Sequence, residues 1–428
     1  MIEKHEEYLD IDEKLGFDES VDEDKHVAIH PVAGTQLNSP GDIRLIDTDQ
    51  DSFSRISKSG FLIKGQLVKE NGQLYTDADI ITLCNNGPLY AFNSIQLQLG
   101  DHIIETVRHP GRATTMKGLL SYSTNSQQSN ICWNLDTNNN ADTDNNKGFK
   151  YRHNMIIKKS SPKGYFSFYI PLSHIFGFCE DYDKLIYGLN QTLTLTRTAD
   201  DDAIFKAAAA AKGKVVIEEI KWKISKIIPS DKYRNKLLSL IQSRSIYNIG
   251  FRENRFDMFD VPQSTNFVWQ LGPTQASERP RWAIIGFQTN RSKNQDTNPS
   301  IFDHCDVRNI YVWLNNQRFP NIDVNVNFTK IDYAEVYENI KKFRENYYGI
   351  NNIVNEASID MISFKSLYTL FVFDLRKQSE RLKSSIISTK IEASFGSNAP
   401  VSTVCCCLII SDRILKYVSD GSRMSIEY

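Results

Sequence analysis

The chain has 428 residues, long for one core and comfortable for two domains. Its 50 Lys and Arg stand against 52 Asp and Glu, so no global basic field exists to hold nucleic acid by releasing counterions from phosphates. The longest apolar run, VCCCLII from Val404, is far too short to cross a bilayer.

In chain order, the first segment, MIEKHEEYLDIDEKLGFDESVDEDK, is strongly acidic and poor in apolar residues. It reads as a flexible N-terminal arm, here given residues 1–44, that takes up order only against neighbouring subunits or other proteins. It shows no charged-then-apolar signal pattern, which fits a soluble protein of intracellular synthesis. Short β-rich runs follow at Gly60–Val68 and Ile80–Cys84, bounded by Asn, Gly and Asp. In SIQLQLGDHIIE, Ile95, Leu97 and Leu99 alternate with Gln96 and Gln98, the period of a half-buried strand. Gly100-Asp101 then supplies the positive-φ turn of a tight hairpin. A helix is predicted from about Arg112 to Tyr122, with Met116, Leu119 and Leu120 on one face. After a polar Asn/Asp loop come strands in YFSFYIPL, LNQTLTLTR and KVVIEEIKWKI. Between the last two lies KAAAAAKGK, which suits a short helix or a surface loop.

The second half repeats this order. In NIYVWLNNQRFP, Ile310, Val312 and Leu314 alternate with Tyr311 and Trp313, and Asn315-Asn316 makes the turn at an offset of 215 residues from Gly100-Asp101. A helix follows here too, with Asp332 as its cap, Glu335 closing a capping box, and Tyr333, Val336, Tyr337 and Ile340 as its apolar stripe. LYTLFVFDL then answers YFSFYIPL, STKIEASF answers LNQTLTLTR, and VSTVCCCLIIS answers KVVIEEIKWKI. Five elements recurring in order mark a duplicated β domain, divided near residues 229–247. Many short strands must hide their edges, and two packed four-stranded sheets of jelly-roll type do so. The expected fold is all-β: two tandem eight-stranded jelly rolls with short inserted helices, at residues 45–230 and 231–428.

Chemistry is sparse. The nucleotide-binding, metalloprotease and serine-hydrolase signatures are absent, so no catalytic residue is assigned. The eight His show no pair at metal-ligand spacing, and His174, among apolar neighbours, reads as structural. Asp136, Asn138 and Asn140 have EF-hand spacing, but Ala141 replaces the required Gly and Lys147 the bidentate Glu, so the loop reads as solvated. The run Asp200-Asp201-Asp202 likewise reads as a solvated turn. The sequons at Asn190, Asn290 and Asn327 carry no meaning without a signal peptide. The seven Cys lack any CxxC pair, and adjacent Cys405-Cys406-Cys407 would point to opposite faces of a strand, so they read as buried apolar side chains rather than disulfides. The aromatic cluster in RFDMFDVP and NFVWQLGP is of a kind that can stack sugars or bases, but at strand-rich positions it is more often core or subunit interface. No cofactor and no metal are expected.

CNNGPLYAFNSIQLQLGDHIIE, followed by RATTMKGLLSYS, resembles the first half of a double jelly-roll major capsid protein of the Polinton (Maverick) and adintovirus type, with virophages more distant. Asn85, Asn86, Phe92 and Asn93 carry the start of the likeness. NPSIFDHCDVRNIYVWLNNQRFP, DYAEVYENIKKF, SLYTLFVFDL and the C-terminal RILKYVSDGSRMSIEY resemble the second barrel in matching order. The likeness runs from about Gly60 to the C-terminus; KAAAAAKGK and the acidic arm have no counterpart in it. It implies a non-enzymatic homotrimer whose six barrels imitate a hexagonal tile, in an icosahedral virion shell around double-stranded DNA. The implied partners are further copies of the chain, neighbouring capsomers, and penton or minor capsid proteins, without sequence-specific nucleic-acid binding or a membrane span. The rival from another class is a duplicated, lectin-like jelly-roll binding module, and a third reading, a β-rich hydrolase, would need a carboxylate pair on facing strands.

Overall fold

The computed structural model describes residues 19–123, 128–199, 202–272, 278–350, 359–378, 386–419, 421 and 424–427. The first half contributes β1 (Val21–Ile29), β2 (Gly41–Asp47), β3 (Phe53–Lys69), β4 (Ile81–Leu83), β5 (Phe92–Leu99), β6 (His102–Arg108), β7 (Tyr165–Pro171), β8 (Gln191–Arg197), β9 (Ile204–Lys206) and β10 (Gly213–Pro229). They form antiparallel sheets of order β1-β10-β3-β7 and β2-β8-β5-β6, with β4 and β9 paired apart. The second half contributes β11 (Ile246–Asp260), β12 (Asn266–Gln270), β13 (Arg279–Thr289), β14 (Val307–Leu314), β15 (Gln317–Phe319), β16 (Leu370–Asp374), β17 (Thr389–Phe395), β18 (Thr403–Ser419) and β19 (Met424–Glu427). Their sheets run β11-β18-β13-β16 and β12-β17-β14-β15, with β19 on the end of β18. Leaving out β4, β9 and β19, each half has the same jelly-roll order: strands one, eight, three and six in one sheet, two, seven, four and five in the other.

The repeated hairpins are β5-β6 and β14-β15, the fourth and fifth strands of each roll. Gly100 and Asn315 take the left-handed turn position, at φ 58° and 51°. The helices are α1 (Gly87–Tyr90), α2 (Pro110–Ser121), α3 (Lys147–His153), α4 (Leu172–Ile175), α5 (Gly177–Asp181), α6 (Asp231–Gln242), α7 (Ala334–Tyr348) and α8 (Met361–Ser366). α2 and α7 each follow the hairpin of their own roll, and α6 links β10 to β11. Alternation places Leu193 and Leu195 of β8, and Ile391 and Ala393 of β17, in the cores between sheets, while their Thr, Lys and Glu neighbours turn outward.

Three readings change. The segment assigned to an arm contains one strand and the start of another: β1 is an edge strand paired with β10 from Val21 opposite Pro229 to Ile29 opposite Trp222, and β2, which crosses the boundary at residue 44, pairs with β8. Almost all of β1 is exposed on both faces, so backbone pairing rather than apolar alternation holds it, which is why it reads as unstructured. Residues 1–18 lie outside the described residues, as do Asp200 and Asp201. The capping box does not form: α7 has Tyr333 at its N-cap without a side-chain cap, because the N–H and C=O of Asp332 are both bonded to Asn327, at 2.9 and 2.8 Å. The helix read as one-faced is buried from Pro110 to Leu120, because other elements surround it. Of the two forms that suit KAAAAAKGK, the structure has the loop, a turn between β9 and β10.

Candidate functional site

The most elaborate polar construction in the molecule is the seam between the two rolls. It begins at β6, the outer strand of its sheet, which lies against β11 and so has its edge covered. A bulge between Leu97 and Gln98 breaks the β5-β6 alternation, and Ile104 and Glu105 are both buried. The Glu105 carboxylate accepts three backbone N–H bonds: from Gly177 at 3.1 Å and Phe178 at 3.0 Å in α5, and from Asn254 at 2.8 Å in β11. Beside it, Arg413 of β18 donates to Glu253 at 2.8 Å and to the Ile104 carbonyl at 2.7 Å. Burial pushes the Glu105 carboxyl up to about 8, with the Glu253 charge adding and the three N–H donors opposing. Burial likewise moves Glu253 up to about 7, against the pull of Arg413.

A second cluster joins α2, α5 and α7. Lys117 donates to Glu180 at 2.6 Å, and the hydroxyls of Tyr347 and Tyr348 donate to the same carboxylate at 3.0 and 3.1 Å. Burial pushes Glu180 up, but the charge and hydrogen bond of Lys117 outweigh it and hold the carboxyl below its ordinary value. Arg252 of β11 forks onto Asp181, donates to the Tyr347 carbonyl at 2.9 Å, and stacks 3.7 Å from the centre of the Tyr347 ring. Closeness here is enforced at Gly177, where an added Cβ would lie 1.5 Å from the Arg252 carbonyl oxygen.

A third cluster uses the loop that has EF-hand spacing. Asp136 is buried and bonds Arg152 of α3 at 2.8 Å. Its other oxygen accepts from Asn298 at 2.8 Å, and its backbone carbonyl accepts from the Tyr368 hydroxyl at 2.8 Å. Asn138 and Asn140 turn their carbonyls to Asn146, so the loop's leading carboxylate serves as a tie to the second roll. Among the described residues no group of three or more His, Cys, Asp or Glu is placed to hold a metal ion. Asp202, from the acidic run, pairs with Arg112 of α2 at 2.9 Å, and Arg112 also reaches Gln288 and Ser292 of the second roll, both at 2.9 Å.

His174 is enclosed by Tyr122 and Trp133. Its Nδ1 meets the Tyr122 hydroxyl at 2.6 Å and its Nε2 meets the Asn86 side-chain oxygen at 3.3 Å. Burial, with Lys117 nearby, lowers its pKa to about 3, so the ring is neutral and structural. The seven cysteines are free; six are buried, and Cys305 is half-buried. Of the aromatic cluster, Phe256, Phe267 and Trp269 are core, while Phe259 is 46% exposed and stacks on Trp269.

None of Glu105, Lys117, Gly177, Asp181 or Arg252 stands out in the sequence. The available signal was faint: a Glu within HIIETV and a Lys within TMKGLL, charges set among apolar residues. Buried ion pairs of this kind add little net stability over apolar packing, but removing one partner costs about 3–5 kcal/mol. The arrangement fixes the mutual placement of two β-sandwiches.

Two jelly rolls of identical topology, locked side by side by buried polar ties, define a double jelly-roll protein. The model of the double jelly roll-like domain family matches residues 81–415, and the chain belongs to that family. No curated protein matches the sequence. Among solved structures, the mavirus major capsid protein aligns at a TM-score of 0.55 and 11% identity, covering 97% of this chain and 92% of that one. VP54 of PBCV-1, as fitted into a reconstruction of the virophage Sputnik, aligns at 0.56 and 8% identity, covering 97% and 99%. The Sputnik virophage structure by cryo-EM aligns at 0.53 and 8%, covering 100% and 93%.

Proposed function

We propose that this chain is a non-enzymatic major capsid protein of the Polinton or adintovirus type. Three copies form a pseudo-hexameric capsomer, and capsomers tile an icosahedral virion shell around a double-stranded DNA genome. Penton and minor capsid proteins are the further partners, and genome sequence is not read. The observation that carries this reading is the pair of complete, equivalent rolls joined by a rigid seam. A trimer of such subunits presents six similar barrels, which approximates sixfold edges while letting the two halves differ in sequence. Family membership and the full-length likeness to viral capsid proteins support it. A trimer interface of several thousand Å² is expected, the size of obligate assemblies. Light scattering with negative-stain imaging tests the proposal. The expected result is a particle of three times 49.0 kDa with a hexagonal outline. A monomer at micromolar concentration would overturn it.

A further inference from the structure

At the linker end of the molecule, α6 lies over an open groove of about 680 Å³. Its walls are Leu237, Leu240 and Ile241 of α6, the start of β11 at Ile246–Ile249, and Phe53 stacked on Tyr187 at 4.7 Å. No residue of α6 is buried, and Leu240 and Ile246 are 44% and 60% exposed. Helices of globular proteins take most of their stability from packing an apolar face, so this one is short of a partner. Its rim is basic. Lys184 lines one wall, Arg234 and Lys236 flank the Leu237–Leu240–Ile241 face of α6, and Arg244 lies just beyond the helix, against Asp231 and an Asp183 already taken by Arg55. Among the described residues none of these four cations has an ion pair.

The described chain begins beside this helix. The Ser20 carbonyl accepts a bond from the N–H of Ser230, the N-cap of α6, at 3.1 Å. The preceding residues 1–18 carry Glu3, Glu6, Glu7, Asp10, Asp12, Glu13 and Asp18 against Lys4 and Lys14, and they intersperse Ile2, Tyr8, Leu9, Ile11, Leu15 and Phe17. Acidic residues alternating with large apolar ones are the complement of an apolar groove with a basic rim. Reach is ample: a twelve-residue helix spans about 18 Å, whereas eighteen extended residues span roughly 60 Å. Tethering at Ser20 makes the contact intramolecular, at a high effective concentration.

We propose that residues 1–18 of the chain dock in their own subunit's groove beneath α6, their apolar side chains against Leu237, Leu240 and Ile246 and their carboxylates against the basic rim. This holds whether or not the protein builds a capsid. The test is photo-crosslinking of the full chain with benzoylphenylalanine in place of Phe17, read on a denaturing gel and by peptide mapping. The expected product has the mass of one chain, with the link falling in residues 231–249. Arg234→Glu with Lys236→Glu should reduce it by up to about tenfold, the scale of two exposed charge pairs. High salt on the unaltered sequence should do the same, which covers the case of a variant that folds poorly. A product of two-chain mass would assign the groove to a neighbour's segment and overturn the proposal. So would links scattered over the surface, or links unmoved by both charge reversal and salt.

Discussion

At Gly177 the roll-to-roll distance is decided by a single hydrogen atom, since any Cβ there would overlap the Arg252 carbonyl. Gly177→Ala should therefore force α5 off β11 and strain the Glu105 and Asp181 ties together. A loss of about 3 kcal/mol or more is expected by analogy with overpacked cores, visible as a lower denaturation midpoint; an unchanged midpoint would show the contact to be soft. The titrating groups of the seam point to a second outcome. Glu105 and Glu253 hold protons to about 8 and about 7, against an ordinary value of 4.5. Their folded-state pKa values are raised, so their contribution is present below 4.5 and is lost as pH rises toward 8. His174 and His109 are lowered by burial from 6.5 to about 3 and about 4, so theirs is present above 6.5 and is lost as pH falls. The two windows overlap from pH 4.5 to 6.5, where the effects oppose each other, so stability should be roughly level there and decline from pH 6.5 to about 8, and Glu105→Gln should flatten that decline. Equal slopes for the two proteins in thermal unfolding would exclude Glu105 as the cause. Neither residue was legible in the sequence: Glu105 shares the face of Val107, opposite buried Leu97, but its sealing comes from α5 and from β11 of the second roll, whose backbone N–H groups leave no local pattern around a strand carboxylate.

Elements were far more legible than residues. Alternation located β5, β7, β8, β10, β14, β16, β17 and β18, because each buries one face and exposes the other, or runs continuously apolar. β1 escaped because an edge strand exposed on both faces needs no apolar pattern. The capping box escaped because a local motif lost to a non-local one, the Asn327–Asp332 bridge. A contrast between two caps follows. Asp360 accepts N–H bonds from Ile362 and Ser363, both at 2.9 Å, and caps α8 with its side chain. Asp360→Ala should cost about 1 kcal/mol, whereas Glu335→Ala at the start of α7 should stay within about 0.5 kcal/mol. Chemical denaturation of the two variants checks this, and a larger loss for Glu335→Ala would mean that the sequence motif works after all.

At the scale of the molecule, the duplication was visible in the sequence but the union of its halves was not, since long-range polar ties leave no local pattern. Those ties bear on whether the rolls are independent. If each half were a self-sufficient domain, their contact would be modest and adjustable, as between ordinary domains of one chain. Instead the first roll sends Glu105, Asp136 and Arg112 to bond Asn254, Asn298 and Gln288 of the second. The second returns Arg252, Tyr347 and Arg413 to Asp181, Glu180 and Ile104. Separating the rolls would exchange these bonds for bonds to water and expose the apolar surface packed around them, at about 0.5–1.5 kcal/mol for each hydrogen bond and about 1.5–3 kcal/mol where a charge takes part. The many ties therefore act as one cooperative unit, and neither roll should persist once the other has unfolded. Calorimetry of the full chain should give one transition, with calorimetric and van't Hoff enthalpies in agreement. The half spanning residues 230–428, produced alone, should lack a cooperative transition, and co-production with residues 1–229 should restore it. Two resolved transitions in the full chain, or a well-folded isolated half, would mean that the buried ties join two finished domains instead of completing one.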